Sequence, residues 1–246
     1  MKPSLRVVNY HLTPAARADI YDREFAALAA RYCPVGQDDL AEYLATGRWP
    51  MARPGVIPVF YNGYRDNFDV ARPLLEKHGL IGWFMVVTGF TDCPDLDKTN
   101  FAAAHNISVP ATEYSDGRPA LSWDELRTLD QTHVVASHTR SHSRVSLDDP
   151  VRLEDEIVGA QRDFVRELGH PVRAFAWLFG GKYGENPVAD GMVDRAGYEF
   201  LFSNLALQRL PGARAVQVST ETPTSEIAFE RSERQRNPIP IKPEPL

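Results

Sequence analysis

Cysteine is scarce in this chain: Cys33 and Cys93 are the 2 thiols among 246 residues, too few to staple a domain of this size. Free thiols suit a reducing compartment, so a cytoplasmic location is expected. Long apolar runs are missing as well. The longest, Ile81 to Val87, falls far short of the roughly 20 residues that cross a bilayer, so no membrane partner is expected. The N-terminus, Met1-Lys2-Pro3-Ser4-Leu5-Arg6-Val7-Val8, leads straight into strand-like sequence and carries no signal-peptide core or cleavage site. Positive charge is not in excess. The 27 Lys and Arg against 33 Asp and Glu give a net charge of −6, which argues against nucleic acid as a partner. No repeat runs along the chain. Membrane, fibrous and disulfide-scaffold classes are excluded.

What the chain does have is apolar residues, 43% of the total, enough to bury a substantial core. A single domain over residues 1–246 is expected, with 1–55 as a strand and helices leading in. Residues 231–246 read as an edge strand and tail. Arg6 to Tyr10 reads as a strand, Ala15 to Tyr32 and Asp38 to Thr46 as helices, and Val56 to Tyr61 as a strand broken by Asn62-Gly63. Asn67 to His78 reads as a helix, with Asp66 or Asn67 as its cap and Gly79 as its stop. Ile81 to Val87 is a buried-strand run, and Thr91 to Pro119 reads as a polar insertion. Ser122 and Glu125 have capping-box spacing ahead of a helix from Trp123 to Thr128. Val134 to Ser137, Ala174 to Phe179 and Glu199 to Ser203 read as strands, Pro150 to Leu168 and Val188 to Ala196 as helices. This alternation of strand and helix predicts an α/β fold with a parallel sheet or barrel, its chemistry at the strand ends.

The strongest chemical signal is His138-Thr139-Arg140-Ser141-His142, directly after a strand. Two imidazoles four residues apart share one face of a helical turn and suit one divalent metal. The same spacing suits two solvated histidines at a helix N-terminus. A two-histidine metal site calls for a further ligand, and the other strand end, Phe60-Tyr61-Asn62-Gly63-Tyr64-Arg65-Asp66-Asn67, is the place for it.

Taken together these segments resemble the polysaccharide deacetylases (NodB-homology, carbohydrate esterase family 4). That family writes T-F-D-D-G-Y where this chain has Val59 to Tyr64, and S-H-T-x-S-H where it has Ser137 to His142. Asn9-Tyr10-His11 is similar to the family's opening strand. Trp83-Phe84-Met85-Val86 and Leu121-Ser122-Trp123-Asp124-Glu125-Leu126 resemble its later segments, as do Val172 to Gly180 and Asn237-Pro238-Ile239-Pro240-Ile241. The resemblance implies a distorted (β/α)7-type barrel. It implies a metal-dependent hydrolase that acts on C–N amide bonds and removes acetyl groups from a sugar or small amide. It further implies a divalent metal cofactor, zinc first, and a small-molecule or carbohydrate partner. Self-association into a homo-oligomer is compatible with such a chain.

The departures fall on the chemistry. Tyr61 and Asn62 stand where the family has its base and its metal-binding aspartate. Ala176 and Leu178 replace the Arg and Pro of its third motif, and no histidine follows His170. The carried-over site is therefore Tyr61 and His11 as catalytic candidates, and Asn62, His138 and His142 as metal ligands. Tyr64, Trp177 and Phe179 are candidates for substrate contact. His11 is also a candidate third imidazole ligand. A tyrosine with pKa near 10 is a poor base, and an amide oxygen is a neutral ligand. Two alternatives to hydrolysis follow: an impaired pseudoenzyme that binds a glycan or other ligand, or changed chemistry in the same pocket. His133 and Trp83 read as structural, and Asp92, Asp95 and Asp97 as solvated charges.

Overall fold

Segments that are apolar at every position, not at alternate ones, form the centre of the sheet. The computed structural model describes residues 5–109, 114, 116–144, 149–178, 180–203, 206–209 and 220–223. Its strands are β1 (Leu5–Tyr10), β2 (Cys33–Pro34), β3 (Gly55–Asn62), β4 (Trp83–Val86), β5 (Val134–Ser137), β6 (Ala174–Ala176), β7 (Phe200–Phe202), β8 (Leu207–Arg209) and β9 (Thr220–Glu221). They join in the order β8-β7-β6-β5-β4-β3-β1-β9, with β2 paired to the start of β3. All pairings are parallel except β7–β8. The sheet curls into a half-barrel, the distorted (β/α) barrel that the motif order implies.

Helices α1 (Ala18–Arg31), α2 (Gln37–Thr46), α3 (Arg72–Lys77), α4 (Thr88–Asp92), α5 (Lys98–Ala104), α6 (Trp123–Leu129), α7 (Pro150–Glu154), α8 (Ala160–Leu168) and α9 (Pro187–Ala196) complete the described elements. On the outer face of the sheet Phe60, Phe84, Phe175 and Leu201 pack with the helix residues Phe25, Leu75, Leu126, Phe164 and Val193. On the inner face Val7, Ile57, Val59, Tyr61, Trp83, Met85, Ala136, Ala176 and Phe202 fill the half-barrel, joined by Leu40 and Tyr43 of α2. Each large side chain buried this way contributes about 1.5–3 kcal/mol, and both faces of β3 are buried, which makes this strand the keel of the fold.

Pro58 lies inside β3, a position where proline is rare because it cannot donate. It falls between the β2 pairing, which covers Gly55 and Val56, and the β4 pairing, which starts at Val59. The missing N–H therefore costs little on that edge.

Some expectations need correction. The segment from Thr91 to Pro119 holds α5, whose first residue, Lys98, turns its ammonium inward to the carbonyls of Phe90, Thr91 and Cys93 at 3.0, 2.8 and 2.7 Å and so ties the helix to the end of α4. Asp66 makes no cap bond, and the helix it precedes opens with a π-helical turn, Asn67–Ala71. The strand expected to run to Phe179 stops at Ala176. The expected edge strand and tail at 231–246 lie outside the described residues. The capping box at Ser122 and Glu125 is formed. Among the described residues no helix is long and apolar enough to cross a membrane.

Candidate functional site

Parallel strands deliver their C-terminal ends to one edge, where the loops begin. Here β1 delivers His11, β3 delivers Tyr61 and Asn62, and β5 delivers His138. The rings of His11, Tyr61, His138 and His142 form a continuous cluster at that edge. His11 stacks on Tyr61 with centroids 5.4 Å apart and planes at 26°. Tyr61 meets His138 edge-on at 5.2 Å, and His138 meets His142 at 5.2 Å and 69°. Tyr61 and His138 are 2% and 4% exposed, whereas His11 and His142 are half-buried.

His11 owes its place to a polar knot between the first two loops. Asn67 Nδ2 donates to His11 O at 2.8 Å and to Thr13 Oγ1 and Asp66 Oδ1 at 3.0 Å each. Thr13 Oγ1 donates to Asp66 Oδ1 at 3.3 Å. Asp66 is thus spent on joining loops.

The two motif histidines each have one nitrogen committed. His138 Nδ1 lies 2.9 Å from Ala176 O, and His142 Nδ1 lies 2.8 Å from His105 O. A carbonyl only accepts, so both rings are assigned the Nδ1–H tautomer, with the lone pair on Nε2. Burial, with His142 close by, holds the His138 pKa well below the usual imidazole value. Burial lowers His142 as well, against the opposing bond to His105. Both rings are neutral at pH 7.

Tyr61 is no base. Its hydroxyl is buried with no hydrogen-bond partner among the described residues, and burial raises its pKa above the ordinary tyrosine value. A phenol so placed keeps its proton and is at most a donor. Asn62 leaves the strand with φ +76°. Its Nδ2 donates to Tyr64 Oη at 3.1 Å, and its Oδ1 is buried without a partner.

The histidines do not share a helical turn, contrary to the spacing argument. The segment from His138 to His142 is a loop in which Thr139 and His142 have φ of +68° and +56°. Left-handed backbone is costly for a β-branched residue, and such strain gathers at functional sites. Four non-glycine residues have positive φ among the described residues. Three are Asn62, Thr139 and His142, and the fourth, Asn106, adjoins His105.

Zinc chemistry can be tested against this donor set. Two imidazoles and an orphaned amide oxygen are zinc-compatible in kind. No group of three His, Cys, Asp or Glu side chains that could hold a metal ion forms among the described residues, so His11 does not complete a three-imidazole set. The set offers only two imidazoles and a weak neutral amide oxygen, one strong ligand fewer than zinc sites built from three histidines or from two histidines and a carboxylate, and it carries no negative charge. The residues present do not fit a tightly held hydrolytic zinc.

Other expected residues take different places. Tyr64 and Trp177, expected to touch substrate, are 2% and 4% exposed. Tyr64 packs edge-on to Phe90, and Trp177 packs edge-on to Phe175 in the outer core. Phe179 lies outside the described residues. His133 is structural as expected, accepting Gly82 N–H at 3.2 Å. Trp83 is core, with Nε1 donating to Val35 O. Asp92 is not simply solvated: it accepts from Trp123 Nε1 and pairs with Arg166. Glu156 and Asp163, which hold the histidine loop, escaped the sequence reading. Their signal was there, as two acids in the buried stripe Leu153, Ile157, Ala160, Phe164.

The fold is that of the polysaccharide deacetylases. The Streptococcus pyogenes deacetylase PplD, solved with acetate, is 15% identical with a TM-score of 0.67 over 95% of this chain and 98% of that one. IcaB from Ammonifex degensii is 18% identical with a TM-score of 0.66 over 93% and 97%. A de-N-acetylase from Aggregatibacter actinomycetemcomitans is 16% identical with a TM-score of 0.61 over 92% and 98%. No known family profile matches the sequence, and no curated protein matches it either.

Proposed function

We propose that this chain is a catalytically impaired polysaccharide-deacetylase-fold protein that binds a carbohydrate or other acylated ligand at the strand-end cluster without hydrolysing it. One observation carries the reading: Tyr61 occupies the base position of the resemblance as a buried, protonated phenol with its ring filled in between His11 and His138. Amide hydrolysis needs an activated water, a group to take its proton and an acid for the leaving amine. None of the charged groups for the first two is present, and loss of the base alone costs about 10²–10⁴ in rate. The half-buried His11 and His142 are the side chains through which a ligand reaches the cluster.

A second reading, residual metal-dependent hydrolysis, is favoured by the matching Nδ1 bonds of His138 and His142, which direct both lone pairs to Nε2. In that reading His138, His142 and Asn62 hold the ion. Titration of the protein with N-acetylglucosamine oligomers, alongside an acetate-release assay with zinc or cobalt supplied, separates the two. Saturable binding without acetate supports the proposal, and acetate release well above the zinc blank overturns it.

A further inference from the structure

We propose that Glu156 is the positioning residue of the histidine pair, a buried carboxylate that clamps the 138–142 loop from the helix behind it. Glu156 is 3% exposed. Its Oε2 accepts from two consecutive backbone N–H groups, Arg140 at 3.1 Å and Ser141 at 2.8 Å, and its Oε1 accepts from Ser141 Oγ. Consecutive N–H groups converging on one oxygen form an anion nest. Ser141 Oγ lies 3.0 Å from Ser143 Oγ, which accepts from Arg152 Nη2 at 2.8 Å.

The Arg140 side chain is seated on the same helix. It pairs with Asp155 and with Asp163 Oδ2 at 3.1 Å, and Asp163 also accepts from Thr88 Oγ1 at 2.9 Å. It passes over Gly159, where a Cβ would stand 3.4 Å from Arg140 Nη1. Glu156 and Gly159 both belong to a π-helical turn, Asp155–Gly159, between α7 and α8. Such turns recur at functional sites, and here one carries the acid that faces the loop. Left-handed Thr139 and His142 persist only if their surroundings over-determine them. Gly89 N–H on Arg140 O at 2.8 Å and Thr88 N–H on Thr139 O at 3.4 Å hold the segment from one side, and the clamp on the two residues between Thr139 and His142 holds it from the other.

The clamp needs acceptors more than charge. Glu156→Gln keeps an oxygen for both N–H groups and presents an amide to Ser141 Oγ, which can accept. Glu156→Ala leaves two partly buried N–H groups without their acceptor. The role rests on reading His138 and His142 as the ligand-facing pair, and the test keeps the two claims apart.

The test is long-range proton–nitrogen NMR of the histidine rings at neutral pH, in protein without ligand. The unmodified chain and Glu156→Gln should both show Nδ1–H tautomers for His138 and His142. Glu156→Ala should lose the His142 Nδ1–H signal, or exchange it about tenfold faster, the effect of one lost hydrogen bond. His138, fixed by β5 and Ala176, should keep its own. Gln161→Ala is the control for general destabilisation, since Gln161 is equally buried on α8 but bonds Val172 and Ala196. Ser141→Ala, which removes one of the three bonds, should give a smaller change and serves if Glu156→Ala does not fold. An unmodified His142 signal in Glu156→Ala or, failing that variant, in Ser141→Ala overturns the proposal, and so does equal loss in Gln161→Ala. Failure of N-acetylglucosamine oligomers to bind the unmodified chain counts against the proposed function, not against this ring result.

Discussion

Tyr61→Phe removes one atom and should leave stability unchanged or improved, which is unusual for a buried tyrosine. The comparison is Tyr198, equally buried, whose hydroxyl donates to Ile157 O at 3.1 Å. Burial raises the pKa of both phenols, but only Tyr61 lacks a partner. Deleting a paired buried hydroxyl costs about 1 kcal/mol, whereas a buried hydroxyl without a partner already bears a desolvation penalty of about 1–3 kcal/mol. Tyr198→Phe should therefore lose about 1 kcal/mol, and Tyr61→Phe should change by zero to about +1 kcal/mol. In a chain of this length 1 kcal/mol moves Tm by about 2–4 °C. Urea unfolding at pH 7 with unchanged slopes measures both, and the retained rings keep packing constant. Equal destabilisation of the two variants would refute the reasoning, because the Tyr61 phenol would then have a partner and a path for its proton.

Two further outcomes follow from the same geometry. Burial pushes His133 down to about 4, against a partial pull from Glu76, so the folded state holds it neutral where the unfolded chain protonates it. Its contribution is complete above the unfolded pKa near 6.5 and is lost as pH falls towards about 4, by at most about 3 kcal/mol; His133→Gln should flatten that part of the stability profile. Zinc added to the purified protein should be removed by dialysis against a chelator, because His138, His142 and Asn62 leave its charge uncompensated. Stoichiometric zinc that survives the chelator, by elemental analysis, would require a further ligand beyond this set, such as His11.

The strand–helix alternation and the strand-end location of the site were legible because parallel strands write their burial as apolar runs, as in β3 and β4. The side chains at those ends were less so. With both faces of β3 buried, no alternation tells whether Tyr61 lines the half-barrel or faces the helices. The loop at 138–142 carries no glycine, so nothing local marks its left-handed residues, and four-residue spacing reads as a helix. What holds its shape lies far off in sequence: Glu156, 15 positions past Ser141, and the backbone N–H groups of Thr88 and Gly89, which donate to Thr139 O and Arg140 O. Helix α5 was hidden for a similar reason: a polar segment gives no apolar stripe, and the buried contacts that seat it, Lys98 on three carbonyls, are visible only in the fold. Asp66 has the composition of a cap, and only the fold brings Thr13 to it.

The central claim is that the missing chemistry starts at Tyr61 and Asn62, while the histidine loop beside them remains in place. Acetate release from N-acetylglucosamine oligomers, with zinc supplied, tests this across the unmodified chain, Tyr61→Asp, Asn62→Asp and the double variant, each checked for folding by thermal melting. A base without an activated water gains little, and groups that act as a unit are not additive. The account predicts background release from the unmodified chain and a gain in the double variant larger than the product of the two single gains. If the unmodified chain is the most active of the four, Tyr61 and Asn62 are themselves catalytic and the account is wrong.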